Sequence, residues 1–238
     1  MQDENAAHAK AREVWAFTAI ERMYSAIKTA AHLNTSGFSI FGHSAGAQFV
    51  HRYVAFVRSS LGKCKGEASH LEHAVAANAG SYTCPTFEEN FPFGFGGLEG
   101  KFARHDMLTF LEAPLTVLLG DKDTDPHHKH LPKDKAAMRQ GPHRFARGHH
   151  FFHSAQAQAA ALGVHFGWNL EIVPNVGHQG AEMLRSHLQR LFPTTTPLSP
   201  KVTSLSPCET GLSPLETERR QDSTAVPVTP PPQRSVGE

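Results

Sequence analysis

The segment Gly37-Phe-Ser-Ile-Phe-Gly-His-Ser-Ala-Gly46 decides the fold. Its first half is a short apolar run bounded by glycines, which is typical of a buried strand. A helical pattern begins at Ala45 and carries apolar residues at helical spacing as far as Val57. The segment therefore predicts a strand, a tight turn and a helix, with Ser44 at the turn.

Helical and strand-like patterns alternate on both sides of this segment. Residues 10–33 have apolar residues three or four apart, which predicts an amphipathic helix. Further strands are predicted at 74–78, 115–119 and 170–173, and further helices at 151–162 and 181–191. Because strands that alternate with helices need crossover connections, we predict an α/β fold with a mostly parallel sheet and flanking helices.

The composition changes sharply after Phe192. Residues 193–238 are rich in proline, serine and threonine and have no apolar periodicity. Such a segment buries too little apolar surface to offset the entropy lost on ordering. We therefore predict a folded catalytic portion at 1–192 and a disordered tail at 193–238.

Charge and composition exclude several functional classes. The chain has 23 Lys and Arg against 22 Asp and Glu, so a formal charge of +1 argues against general binding to nucleic acid. It has neither an apolar run of about 18 residues nor a signal-peptide pattern, which predicts a cytoplasmic protein without a membrane span. Three cysteines are too few for a disulfide framework. The 17 histidines, several of them clustered, are the unusual feature.

The turn itself carries a chemical motif. Gly42-His-Ser-Ala-Gly46 fits the pattern GxSxG, in which a strained turn exposes the serine hydroxyl and the glycines let neighbouring backbones approach. The N–H of Ala45, at the start of the helix, is the predicted donor to an oxyanion. The alternative interpretation is that Ser44 only caps the helix.

A nucleophilic serine needs a base and an acid that orients the base. Asp121, Asp123 and Asp125 follow the strand at 115–119, and His178 follows the strand at 170–173. The carboxyl ends of parallel strands lie at one edge of a sheet, so these loops can meet Ser44. The alternatives are turn or capping roles for the aspartates and a solvated loop position for the histidine.

These motifs resemble those of a known family. Together with Gly42–Gly46, the segments Pro114-Leu-Thr-Val-Leu-Leu-Gly-Asp-Lys-Asp123 and Val173-Pro-Asn-Val-Gly-His178 resemble the nucleophile, acid and histidine loops of α/β-hydrolases. The resemblance covers roughly residues 12–191 and points to bacterial esterases similar to polyhydroxybutyrate depolymerases. It implies a serine esterase with Ser44, Asp123 and His178 as its triad, Asp121 as the second choice of acid, and a small or polymeric ester as substrate.

The sequence before the motif differs from the family pattern. Only 36 residues precede Gly37, and they are predicted to form one helix, whereas the family has several strands and a loop that supplies a second oxyanion donor. We therefore expect an N-terminally incomplete hydrolase. Loss of that donor would slow the reaction by about 100- to 1,000-fold. The strand at 38–41 would have an open edge through which the chain could self-associate.

The remaining candidates concern binding. His43, Phe93, Phe95 and Trp168, with Phe91, are candidates for the substrate pocket, and core packing is an equal alternative for the aromatic residues. The histidines at 127, 128 and 130, and those at 149 and 153, are weak metal-ligand candidates, so we expect neither a metal nor an organic cofactor. Two alternatives to an active esterase stay open: an inactive remnant that serves as a binding module, and a histidine-based metal-binding protein.

Overall fold

The computed structural model describes residues 16–58 and 70–192. The predicted tail at 193–238 and the first residues of the predicted helix at 10–33 lie outside the described residues. In chain order the elements are α1 (Ala16–Ala30), β1 (Phe38–His43), α2 (Ala45–Tyr53) with a π-helical extension (Val54–Arg58), β2 (Leu71–Ala77), α3 (Arg104–Leu111), β3 (Leu115–Gly120), α4 (Lys135–Gln140), α5 (Arg144–Leu162), β4 (Asn169–Val173) and α6 (Gly180–Leu191).

The four strands form one parallel sheet in the order β1-β2-β3-β4. Each strand follows its neighbour along the chain, and the connections between them contain helices. The predicted α/β class and the parallel sheet with flanking helices are therefore confirmed. Within the described part of the chain, β1 pairs on one side only, with β2.

Both faces of the sheet are covered by apolar side chains. The larger cluster includes Tyr53, Phe110, Leu115 and Phe151, and a smaller one on alternate strand positions joins Val75, Ala77, Leu118, Val173 and Met183. Burial on both faces explains why every residue of β3 is buried, in agreement with its continuous apolar sequence. No helix among residues 16–58 and 70–192 is long and apolar enough to cross a membrane.

Three helical features differ from the sequence prediction. Helices α3 and α4 were not expected, and α5 begins at Arg144 rather than at Phe151. At the start of α5 the Nδ1 atom of His143 accepts a hydrogen bond from the N–H of Ala146, at 3.2 Å. Histidine is not among the residues that usually cap helices, so the sequence carried no recognisable start signal there.

Candidate active site

Ser44 lies at the sharp turn between β1 and α2. Its backbone has φ 57° and ψ −114°, a conformation that residues other than glycine rarely adopt. Its N–H donates to the Ala77 carbonyl at 2.9 Å, which fixes the turn against β2. The hydroxyl makes no capping hydrogen bond to α2. The helix-cap alternative for Ser44 is therefore wrong, and its side chain is available for another contact.

The two glycines of the motif have different roles. A Cβ atom at Gly42 would overlap the Gly46 carbonyl and lie 2.7 Å from Cγ2 of Val50, so only glycine fits there. A Cβ atom at Gly46 would meet no atom within 4 Å. The prediction that both glycines are needed for close approach is therefore right for Gly42 and wrong for Gly46, where the described structure leaves open space.

The structure brings Ser44, His178 and Asp123 into one line of contacts. Nε2 of His178 lies 3.0 Å from Oγ of Ser44, and Nδ1 of His178 lies 2.6 Å from Oδ2 of Asp123. An ionised carboxylate can only accept, so Nδ1 carries the proton that it donates to Asp123. In the neutral ring Nε2 then has a lone pair, and it can accept the hydroxyl proton of Ser44.

The three aspartates of the acid loop have separate environments. Asp123 is 4% exposed and contacts His178. Asp125 accepts a hydrogen bond from the N–H of His127 through Oδ1, at 2.8 Å, which is a local turn contact. Asp121 lies 4.0 Å from Nζ of Lys122. Of the two candidates for the acid, only Asp123 contacts the histidine.

Arg144 is a charged neighbour of the site that sequence reasoning missed. Its side chain is completely buried, and Nη1 lies 3.6 Å from Oδ1 of Asp123. Its Nη2 donates to Nδ1 of His128 at 3.3 Å, and the His128 ring packs edge-on against His178 with ring centroids 5.3 Å apart. Burial, and after it the Arg144 charge, lowers the pKa of His128. A buried guanidinium therefore faces the carboxylate that orients His178.

His43 also packs against His178, with ring centroids 4.4 Å apart. Burial, and after it the neighbouring His178, lowers the pKa of His43 to about 4. His43 is therefore neutral near pH 7 and adds no positive charge beside the base. It lies at the site, and its predicted contact with substrate stays a prediction.

The N–H of Ala45 lies at the start of α2 beside Ser44, and its role as an oxyanion donor stays a prediction. Ala45 is the first residue of α2 and is exposed next to Ser44. Its N–H has no acceptor within residues 16–58 and 70–192. The positive end of the helix dipole also lies here, which favours a developing negative charge.

The predicted aromatic pocket is not found in one place. Phe95 is 1% exposed and stacks on Phe102, and Trp168 is 6% exposed and donates through Nε1 to the Phe110 carbonyl at 2.8 Å. These contacts favour core packing for both, which corrects their assignment to substrate binding. Phe93 lines a cavity of about 220 Å³ near Cys84 that none of Ser44, Asp123 and His178 lines.

The histidine clusters give the metal hypothesis no support. The rings of His149 and His153 lie on one face of α5 with centroids 5.9 Å apart, as their spacing predicted for an early helix start. In the part of the chain that the structure describes, no group of three or more His, Cys, Asp or Glu side chains could hold a metal ion.

Comparison with known proteins finds two similar hydrolases of known structure. The chain is 35% identical to poly(aspartic acid) hydrolase-1 from Sphingomonas sp. KT-1, with a TM-score of 0.71 over 79% of this chain and 67% of that one. A poly(3-hydroxybutyrate) depolymerase from Bordetella parapertussis is also 35% identical, with a TM-score of 0.68 over 79% of this chain and 60% of that one.

The chain thus spans about two thirds of the length of these relatives. No family model and no curated protein sequence matches it. Identity at this level over most of the chain, on the same fold, shows common family membership. The chain belongs to the depolymerase-like group of the α/β-hydrolases.

Proposed function

We propose that the chain is a serine hydrolase that cleaves carboxylic esters through an acyl-enzyme. Ser44 is the nucleophile, His178 the general base and acid, and Asp123 the group that orients His178. The observation that carries the proposal is the pair of contacts on His178, 3.0 Å to Ser44 and 2.6 Å to Asp123. Both distances lie within the range of hydrogen bonds in such triads.

In the acylation step Nε2 of His178 takes the hydroxyl proton while Oγ of Ser44 attacks the substrate carbonyl carbon. The carbonyl oxygen becomes an oxyanion, which the N–H of Ala45 stabilises. When the tetrahedral intermediate collapses, the ester bond breaks and the leaving alcohol takes the proton from His178. The acyl group is then bound to Ser44 as an ester.

Deacylation repeats these proton transfers with water. His178 removes a proton from the water molecule as its oxygen attacks the acyl carbon, and then returns that proton to Oγ of Ser44. The acid is released and the serine is regenerated. In both steps Asp123 accepts a hydrogen bond from Nδ1 of His178 and so keeps the ring oriented, without taking up the proton itself.

The relatives favour a polymeric substrate. The substrate of the Bordetella parapertussis depolymerase is a polyester, which supports ester cleavage here. The substrate of the Sphingomonas relative is a polyamide, which makes amides the second class to test.

A fluorophosphonate probe tests the proposed nucleophile. We expect the wild-type chain to be labelled covalently and to hydrolyse p-nitrophenyl butyrate, and Ser44→Ala to lose both properties. The matched control is Ser39→Ala, a change at an exposed serine of β1 that should keep both. A folded wild-type chain that is neither labelled nor active would favour the binding-module alternative instead.

A further inference from the structure

Strand β2 carries none of the three proposed triad residues, yet its carboxyl end contacts the backbone that holds each of them. The Ala77 carbonyl accepts from the N–H of Ser44 at 2.9 Å. On the other side of the same peptide unit, the N–H of Asn78 donates to the Leu118 carbonyl at 3.1 Å. One peptide therefore joins the nucleophile turn to the strand that leads into the acid loop.

The side chain of Asn78 extends this connection to the remaining loop. Its Oδ1 accepts from the N–H of Gly120 at 2.9 Å, directly before the acid loop. Its Nδ2 donates to the carbonyl of Gly177 at 3.0 Å, the residue before His178. Asn78 is completely buried and has φ 49°, a left-handed conformation that asparagine tolerates better than most residues.

The strand order explains why the histidine loop needs such a contact. His178 follows β4, whereas Ser44 follows β1, three strands away and about 14 Å across the sheet. The loop must therefore cross the end of β3. It does so over Gly120, where a Cβ atom would lie 2.9 Å from the Gly177 carbonyl and would overlap that of Val176. Two donors hold the crossing loop: the N–H of Lys122 donates to the Val176 carbonyl at 3.0 Å, and the side-chain amide of Asn78 donates to the Gly177 carbonyl, directly before His178.

We propose that Asn78 is a positioning residue for the reaction, because its amide holds the Gly177 carbonyl and so places Nε2 of His178 against Ser44. The inference rests on the proposed function of the triad. A reacting group displaced by about 1 Å can lose about 100-fold in rate. Loss of the Asn78 donor should therefore lower kcat, while substrate binding changes little.

The variant Asn78→Asp tests the donor. Aspartate keeps the size, the oxygen that accepts from Gly120 and the tolerance of a positive φ, but it replaces the donor to Gly177 by an oxygen that repels the carbonyl. With p-nitrophenyl butyrate at pH 8 we expect kcat to fall about 10- to 100-fold, with KM changed less than about 3-fold. The phosphonate labelling rate should fall in parallel.

Asn175→Asp is the matched control. Asn175 also has a positive φ, 60°, and lies in the same loop, but it is exposed, and its side chain makes no hydrogen bond to the described residues. Its kcat and labelling rate should stay within about 2-fold of the wild type. An equal loss in both variants would mean that added charge in the loop, rather than the Asn78 donor, causes the effect.

A pH series separates positioning from a general loss of structure. A protonated aspartic acid can again donate to the Gly177 carbonyl, and burial raises the pKa of a carboxyl group. The ratio of Asn78→Asp to wild-type kcat should therefore rise as the pH is lowered from 8 to 6. Asn78→Gly keeps the backbone conformation without either side-chain bond, and its ratio should stay low and flat. If Asn78→Asp does not fold, the loss of kcat in Asn78→Gly tests the positioning role instead.

The outcomes distinguish the two proposals. A wild-type chain without esterase activity or labelling overturns the proposed function, and this inference with it. An active wild type whose Asn78→Asp and Asn78→Gly variants keep kcat within about 2-fold overturns only the positioning role. A ratio that falls or stays flat as the pH decreases in Asn78→Asp also overturns it.

Discussion

The two ends of the proposed triad are held in different ways. At the acid end, both backbone groups of Asp123 are hydrogen-bonded. Its N–H donates to the Gly120 carbonyl and its carbonyl accepts from the N–H of Phe145, both at 3.1 Å. One carboxylate oxygen contacts His178 and the other faces Arg144. The position of Asp123 is thus fixed by several hydrogen bonds and by charge.

At the nucleophile end, the N–H of Ser44 donates to the Ala77 carbonyl, and the Ser44 carbonyl accepts from the N–H groups of Ala47 and Gln48 at 3.1 and 3.2 Å. Ser44 has a positive φ, 57°. It follows β1, which pairs on one side only within the described residues. The turn is compact because Gly42 leaves room for the Gly46 carbonyl. The acid end is therefore held by hydrogen bonds and charge, whereas the nucleophile end also requires a residue without a side chain at position 42. Different substitutions should therefore disturb each end.

The largest expected effect is at the acid end. Asp123→Asn should lower kcat about 10⁴-fold, because an amide can donate to Nδ1 of His178 and favours the ring form in which Nε2 cannot accept the serine proton. Steady-state kinetics with p-nitrophenyl butyrate measure this loss. Asp125→Asn is the control, since its amide oxygen can still accept from His127, and it should be near wild type. Comparable kcat values for both variants would contradict the assignment of Asp123.

At the nucleophile end, Gly42→Ala should destabilise the fold itself. The added methyl group would overlap the backbone of Gly46, which cannot move aside as a side chain can. We expect the free energy of unfolding to fall by about 3 kcal/mol, measured by urea denaturation, or the variant to be insoluble. A variant with wild-type stability would show that the turn is looser than its geometry indicates.

A smaller effect concerns pH and His43, next to Ser44. The pKa of His43 is about 4 in the folded chain against an ordinary value of 6.5, so below pH 6.5 the unfolded chain binds a proton that the folded chain does not. This contribution to stability is fully present above pH 6.5 and is lost as the pH falls toward 4.

Urea denaturation at pH 7.5 and pH 4.5 measures the effect. Between pH 7.5 and pH 4.5 the urea concentration at the unfolding midpoint should decrease less in His43→Gln than in the wild type. The control His105→Gln, a change at an exposed histidine, should show the same decrease as the wild type. Equal acid sensitivity in all three proteins would rule out a contribution of His43.

The smallest effect is expected from Gly46→Ala, which places a methyl group in open space. Alanine favours helices over glycine by up to about 1 kcal/mol, so stability should stay equal or rise slightly. A large loss of stability, again measured by urea denaturation, would contradict the conclusion that only Gly42 of the two glycines must lack a side chain.

Local sequence patterns were enough to propose Ser44, Asp123 and His178 as the reacting groups, but not to identify the buried residues that contact their loops. Ser44 and the loops of Asp123 and His178 follow strands that are recognisable from short runs of sequence. Asn78 contacts residues 42 and 99 positions away, and as part of the weak strand pattern at 74–78 it resembled any other strand residue.

Some helices were not predicted because the residues at their starts are not the usual capping residues. Helix α3 begins after Ala103, whose N–H donates to Oδ2 of Asp106 at 2.7 Å. Alanine itself has no side chain that could cap the helix, so the sequence shows no start signal at this position. The contact of Arg144 with Asp123 was missed for a related reason, because the sequence did not show that a helix begins at Arg144. Charged residues at an unrecognised helix start are normally expected to be exposed.

The crossing of the histidine loop over Gly120 has a consequence for protein engineering. The acid loop, the histidine loop and the end of β2 form one hydrogen-bonded unit, so changes of specificity introduced there would disturb the chemistry as well. Residues 84–102 contribute none of the three proposed groups and border a separate cavity. Libraries directed at the exposed residues of that segment would vary the surface while sparing the proposed reaction centre.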